Sequence, residues 1–266
     1  MIMFKHLTTT KRAAKLAGGL VWAYRTIFRI DAFNKTDREV LKPLINEFCQ
    51  RMTAAIDLKV VETNTLPQGQ ALWVSNHISW VDIVGVGSKV PAFFIAKAEI
   101  GGWPVFGPVA RAAGTVLIKR GSGDVGSITD QIAAFLKQGV PVLFYPEGTT
   151  SMGRSMRKLY PKLFEAATRT GTAVHPMVIC YQNRFGEIDD AIPYAGGTRF
   201  MQSIKRVLEN QQTTLFVRYL APISSVGKTR DELTAEVESA MRAGLKELHL
   251  EVFGKTFEAE AAKGDY

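Results

Sequence analysis

A histidine and an aspartate with four residues between them stand in the segment Asn76-His77-Ile78-Ser79-Trp80-Val81-Asp82. A carboxylate on one imidazole nitrogen sets the tautomer and leaves the other nitrogen as a proton acceptor, which is the arrangement of a general base. On one continuous helix a five-residue step would point the two side chains apart. The chain must therefore turn between them. Ser79 is a good N-cap, and Asp82, three residues on, matches the acid of a capping box. From the first turn Asp82 can reach back to His77, and the helix N-terminus favours its ionised form. Ordinary helix capping beside an incidental histidine explains the same residues, and the motif alone does not separate the two readings. The chain has only four histidines. His175 and His249 have no carboxylate at a telling spacing and read as structural.

Two further segments carry polar groups at the ends of apolar runs. Tyr145-Pro146-Glu147-Gly148-Thr149-Thr150-Ser151 follows PVLFY. Pro-Glu-Gly stops the strand, Gly148 allows close backbone approach, and three hydroxyls follow. Arg154, Arg157 and Lys158 come soon after, so the loop can hold an anionic head group; it also reads as a polar turn. Arg120 closes the run Gly114-Thr115-Val116-Leu117-Ile118-Lys119-Arg120. Its planar guanidinium suits phosphate, although a solvated strand-end residue has the same signature.

The elements that must position these groups alternate in type. Strands are predicted over Leu58–Glu62, Ala71–Ser75, Ala92–Ala96, Thr115–Lys119, Pro141–Tyr145, Ala173–Cys180 and Thr214–Tyr219. Helices are predicted over 35–56, 80–88, 103–113, 125–138, 159–170, 200–210 and 230–252. This alternation indicates an α/β domain with a mostly parallel central sheet flanked by helices, with function at the loops beyond the strand carboxyl ends. We place that domain over residues 34–253, after a basic amphipathic segment 1–33 and before a loose tail 254–266.

The chain has 266 residues, 46% of them hydrophobic, enough for a large core and too apolar for a disordered chain. Two cysteines, Cys49 and Cys180, lack metal-ligand spacing and read as free thiols in a reducing compartment. No metal site is expected. Of the net charge of +8, six basic residues without an acid fall within residues 1–30. There the longest uncharged run, Leu16 to Tyr24, is far short of the roughly 20 residues of a transmembrane helix. A cleaved signal is disfavoured because arginines follow at once and no small-x-small site appears. An amphipathic helix in the membrane interface fits better. Leu16, Leu20, Ala23, Tyr24, Ile27 and Phe28 would face lipid, with Trp22 at the boundary, and Lys11, Arg12, Lys15, Arg25 and Arg29 would meet lipid phosphates. A helix packed on its own domain is the alternative.

A nucleic-acid partner is not expected, since no recognition motif accompanies the basic end. Residues 121–126, GSGDVG, match a dinucleotide fingerprint, but Lys119 and Arg120 separate the strand from the first glycine and Asp124 would face the pyrophosphate.

Together the ordered series NHISWVD, GTVLIKR, YPEGTTS and VHPMVI (174–179), spanning roughly residues 70–180, resembles the glycerolipid acyltransferases, the lysophosphatidic acid acyltransferases and their relatives. The resemblance implies acyl transfer from acyl-CoA or acyl carrier protein, as thioester substrate with no bound cofactor, to the free hydroxyl of a lysolipid. Lysophosphatidate is the first acceptor implied. His77 matches the catalytic base and Asp82 its orienting carboxylate. Lys97 resembles the lysine that stabilises charge on the carbonyl oxygen. Arg120, Glu147 and Gly148 match positions linked to acceptor phosphate, and Asn76 and Thr149 are counted with them as substrate-binding. Glu147, itself an acid, is better suited to holding a hydroxyl or ordering Arg120. No G-x-S-x-G elbow occurs in the chain, in keeping with direct attack by the acceptor. Phosphatidate-forming members usually read PEGTR. Thr150 replaces that arginine here, as in branches that acylate lyso-ornithine lipids or lysophosphatidylcholine, and Arg154 or Arg157 would have to supply the charge. The implied location is the cytoplasmic side of the inner membrane, against anionic lipid.

Overall fold

Short β-branched and aromatic runs bounded by turns can bury both faces at once, and that need builds the centre of this molecule. The computed structural model describes residues 2–34, 37–102, 105–118 and 125–257. Among them the strands are β1 (Leu58–Glu62), β2 (Leu72–Ser75), β3 (Phe93–Lys97), β4 (Val116–Ile118), β5 (Val142–Phe144), β6 (Val174–Gln182) and β7 (Thr213–Tyr219). The helices are α1 (Ile2–Ile30), α2 (Arg38–Ile56), α3 (Val81–Gly87), α4 (Ala98–Gly101), α5 (Phe106–Ala112), α6 (Val125–Lys137), α7 (Glu165–Thr170), α8 (Phe200–Glu209) and α9 (Arg230–Phe253). The strands form one sheet in the order β1-β7-β6-β2-β5-β3-β4. β6 and β7 pair antiparallel and every other pair is parallel. The carboxyl ends of β2, β5, β3 and β4 therefore emerge side by side along one edge.

Period-two alternation divides the core between the two faces. On β2, Leu72 and Val74 pack with Ile132 and Leu136 of α6 and with Val237 and Met241 of α9. Trp73 faces the other way, onto Met52 and Ile56 of α2 and Val81 and Val84 of α3. β6 divides likewise, sending Val174, Val178 and Cys180 to the first layer and Met177, Ile179 and Tyr181 to the second.

The predicted helix over 159–170 is split into a 3-10 turn, Pro161–Phe164, and α7. In the tail predicted to be loose from Gly254, residues 254–256 are exposed, but the Phe257 ring packs back onto His249 and Phe253. Residues 258–266 lie outside the described residues.

The N-terminal stretch is one helix, and its apolar stripe is used differently from the sequence expectation. Leu16 and Leu20 pack on the α2–α3 layer, and Ala23 and Ile27 are buried with Leu41 of α2 and Val109 of α5. A Cβ on Gly19 would meet Met52 Cε at 2.3 Å, so α1 and α2 approach closely there. Arg12 also turns inward. It donates to the carbonyls of Leu208 and Asn210 at the end of α8, and to Asp57 Oδ2 at 2.6 Å. Intramolecular burial takes this stripe because α2 presents a matching apolar surface. The outward face instead carries Val21 (50% exposed) and Phe28 (73% exposed), with Lys11, Lys15, Arg25 and Arg29 exposed around them.

Candidate active site

β2 ends at Ser75, but its ladder with β6 is prolonged by a side chain. The Asn76 amide donates to the Ile179 carbonyl at 3.0 Å and accepts from the Ile179 N–H at 2.8 Å. Both amide groups of this fully buried residue are thus taken up by backbone. Asn76 sets the direction in which the chain leaves the sheet; the substrate-binding role assigned to it from the sequence is not what its contacts show.

The chain then turns through Ile78, Ser79 and Trp80 into α3. Asp82, fully buried in the first turn, reaches back over this turn. Its Oδ2 accepts from His77 Nδ1 at 2.7 Å, from the Ile78 N–H at 2.6 Å and from the Ser79 N–H at 2.9 Å. Oδ1 accepts from the Tyr181 hydroxyl at 2.7 Å. Since a carboxylate only accepts, Nδ1 carries the imidazole proton and Nε2 is left basic. Capping and orientation of the histidine are therefore one arrangement, not rival readings. Only half of the predicted capping box is formed. Trp80 occupies the cap, and the buried Ser79 hydroxyl has no hydrogen-bond partner among the described residues. The imidazole stacks on the Tyr145 ring, with centroids 4.0 Å apart and planes 14° apart, and the side chain stays 18% exposed.

The loop after β5 clamps the backbone of His77 from the other side. Glu147, only 1% exposed, accepts the His77 N–H on Oε1 and the Arg157 N–H on Oε2, each at 2.7 Å. The His77 carbonyl accepts from the Ser151 N–H at 2.8 Å and from its hydroxyl at 3.3 Å. Burial pushes Glu147 up to about 7, against the two N–H donors, which pull it down. Glu147 is thus a latch between the two loops, buried with both of its carboxylate oxygens on backbone N–H groups. Gly153 explains how the loops come so close. It sits at φ +79°, and a Cβ there would lie 2.8 Å from Ile78 Cδ1.

Gly148, at φ +66°, and the half-buried Thr149 turn beside the histidine, where the sequence places them. Thr150 donates its hydroxyl to the Tyr194 carbonyl, and Tyr194 in turn donates its N–H to the Ile78 carbonyl at 2.9 Å. Arg154 is held by Asp190, its Nη2 lying 2.7 and 2.9 Å from the two carboxylate oxygens. Arg157 and Lys158 are exposed beside the loop. Lys97 ends β3, opposite Ile118 of β4 and on the same sheet edge as His77 and Glu147. Arg120 and the glycines at 121 and 123 lie outside the described residues. Among the described residues, no group of three or more His, Cys, Asp or Glu side chains converges as a metal site.

His175 and His249 are both buried, and burial lowers both, His249 to about 4 despite a backbone contact with Gly153. His175 packs edge-on against Trp73 at 4.8 Å. Cys49 and Cys180 are free and buried; burial pushes Cys49 up to about 12 and raises Cys180 as well. Sequence reasoning missed Tyr181 and Tyr194, which touch the motif from distant segments, and the stacking of Tyr145. For Tyr145 its place next to Pro146 was a usable signal. For the other two no local pattern existed.

The acyltransferase family model matches residues 57–180. A lyso-ornithine lipid O-acyltransferase of Pseudomonas aeruginosa is 37% identical over 195 residues, covering 73% of this chain and 75% of its own. A 1-acyl-sn-glycerol-3-phosphate acyltransferase of Neisseria meningitidis is 27% identical, covering 89% and 92%. The fold is shared with the crystal structure of the LPA acyltransferase PlsC from Thermotoga maritima. That superposition has a TM-score of 0.67 at 21% identity, over 92% of this chain and 96% of the other. With the matched segment covering the His77 turn, the Glu147 latch and the strands that carry them, this chain belongs to the acyltransferase family.

Proposed function

We propose that this acyltransferase moves a fatty acyl group from a thioester donor, acyl-CoA or acyl carrier protein, to the free hydroxyl of a lysolipid. The observation that carries this reading is the His77 imidazole, fixed by Asp82 through Nδ1 with Nε2 left as the base. Nε2 takes the acceptor hydroxyl proton as the oxygen bonds to the thioester carbonyl carbon. The tetrahedral oxyanion then collapses, the carbon–sulfur bond breaks, and the imidazolium returns the proton to the leaving thiolate. Positioned base catalysis of this kind contributes about 10²–10⁴-fold. Lys97, at the same sheet edge, is the residue we assign to the developing negative oxygen, and Thr149 and Gly148 line the approach for the acceptor.

Lyso-ornithine lipid is the acceptor we favour. Thr150 stands where phosphatidate-forming members carry arginine and spends its hydroxyl on Tyr194, while Arg154 is neutralised by Asp190. The 37% identical relative acts on that lipid by name. Lysophosphatidate is the second reading, supported by exposed Arg157 and Lys158 beside the loop.

We further propose that the outward face of α1 rests on an anionic membrane surface at the cytoplasmic side of the inner membrane, with Val21 and Phe28 in the lipid interface and Lys11, Lys15, Arg25 and Arg29 at the phosphates. Among the described residues, no helix is long and apolar enough to cross a membrane. The test is transfer of a labelled acyl group to a panel of lysolipids, wild type beside His77→Ala. The expected result is acylation of lyso-ornithine lipid in preference to lysophosphatidate, reduced about 10²-fold or more in the variant. Residual activity within tenfold of wild type would remove His77 from the mechanism.

A further inference from the structure

We infer that Tyr181 is a positioning residue for this reaction: its hydroxyl, through Asp82 Oδ1, holds the carboxylate in the orientation and ionised form that His77 needs. This rests on the reading of His77 and Asp82 as base and orienting acid.

The donors to Asp82 are distributed unevenly. Oδ2 receives three, all from residues 77–79 of the same turn. Oδ1 receives one, from a strand 99 residues further along the chain. A buried carboxylate oxygen without a donor carries the cost of an unsatisfied, partly charged group. Asp82 can relieve that cost in two ways. It can rotate, which pulls Oδ2 away from His77 Nδ1. It can also take up a proton, after which it no longer stabilises the imidazolium that forms during transfer. The Tyr181 hydroxyl blocks both.

The register explains how Tyr181 gets there. The last parallel pairing of β2 with β6 is Ser75 with Met177. β6 continues past it to Gln182, because β7 supports it antiparallel from Met177 onwards. Tyr181 lies four residues beyond Met177 on the same face, which places its ring beneath the first turn of α3. The ring is 2% exposed and the strand is pinned by the Asp189 N–H on the Tyr181 carbonyl at 2.9 Å. Tyr181 therefore does not meet substrate. The ionisable groups facing Asp82 are His77, Tyr181, Tyr145 and Glu147, and Asp189 faces Tyr181. Burial, followed by the charge of Asp82, holds the Tyr181 phenol well above its usual range, so it is a donor at every working pH.

Tyr181→Phe removes one oxygen and keeps the ring. The full chain is assayed for kcat and KM across pH 5 to 9, alone and in an Asp82→Asn background, with thermal melting alongside. We expect kcat to fall about tenfold with KM unchanged, the size of one lost hydrogen bond to a charged group. The acid limb of the pH profile should rise by about one unit, because the dyad then holds its first proton more tightly. Glu147 is common to both profiles and cancels. In the Asp82→Asn background the second substitution should cause no further loss. Activity of Tyr181→Phe within twofold of wild type at every pH overturns the inference, and so does an equal loss in the Asp82→Asn background. If Asp82→Asn is itself fully active, the dyad reading fails, and that single variant reports it separately. Should Tyr181→Phe fail to fold, site-specific 3-fluorotyrosine keeps the shape and strengthens the donor. It must then move the acid limb downwards, and an unmoved limb overturns the inference.

Discussion

Replacing Glu147 by glutamine tests whether the latch between the two loops is a buried ionisable group. Burial raises the Glu147 pKa from 4.5 to about 7. The folded chain then keeps a proton that the unfolded chain releases above about pH 4.5, so this group makes stability fall as pH rises from there to about 7. Between pH 5.5 and 8 the fall is about 1.5 pH units' worth, or roughly 2 kcal/mol. Glutamine does not titrate. It keeps one carbonyl oxygen for an N–H of His77 or Arg157 and turns an NH2 toward the other, so it loses one of two hydrogen bonds at every pH. The assay is urea unfolding of wild type and Glu147→Gln at pH 5.5 and pH 8, both with known extrapolation slopes. Relative to wild type, the variant should gain roughly 2 kcal/mol between the two conditions. Every other titrating group cancels in this double difference. Acyl transfer at pH 8 should meanwhile fall about tenfold, the value of one lost charge-assisted hydrogen bond at the His77 turn. A stability difference equal at the two pH values, within about 0.5 kcal/mol, would refute a Glu147 that titrates near 7.

Two other substitutions give distinct readouts. Among the described residues the buried Tyr145 hydroxyl has no hydrogen-bond partner, while its ring stacks on His77. Tyr145→Phe should therefore raise stability by about 1 kcal/mol in chemical unfolding and leave acyl transfer within twofold, and a destabilised variant would contradict it. Phe28 is 73% exposed on α1, whereas Ala23 and Ile27 on the opposite face are core. Phe28→Asp should release the protein from anionic vesicles in a sedimentation assay without lowering its melting temperature; undiminished sedimentation would disprove contact through this face. Deleting the helix would not separate the two effects, since it also uncovers Leu41 and Val109.

Much of this molecule follows from residue order alone. The strand over Leu58–Glu62 is predicted to the residue, and the other strands fall within a few residues of their observed ends, because period-two burial and Gly/Pro punctuation are local signals. The pairing of His77 with Asp82 was legible because the two lie in one turn, and a capping carboxylate has a short list of places to go. Tertiary structure decided which partners the remaining groups would have. Asn76 and Glu147 look like ligands in a motif, yet each is spent on backbone from a segment 103 or 70 residues away. The stripe of α1 looked suited to lipid, yet α2 and α5 offered it a closer apolar surface. Tyr181 carried no signal at all, since its role depends on β6 running past the end of β2, with Tyr181 four residues beyond the last pairing. A sequence displays hydrophobicity and local geometry. Which buried polar group meets which depends on sheet register, and register is set by the packing of the whole sheet rather than by any one segment.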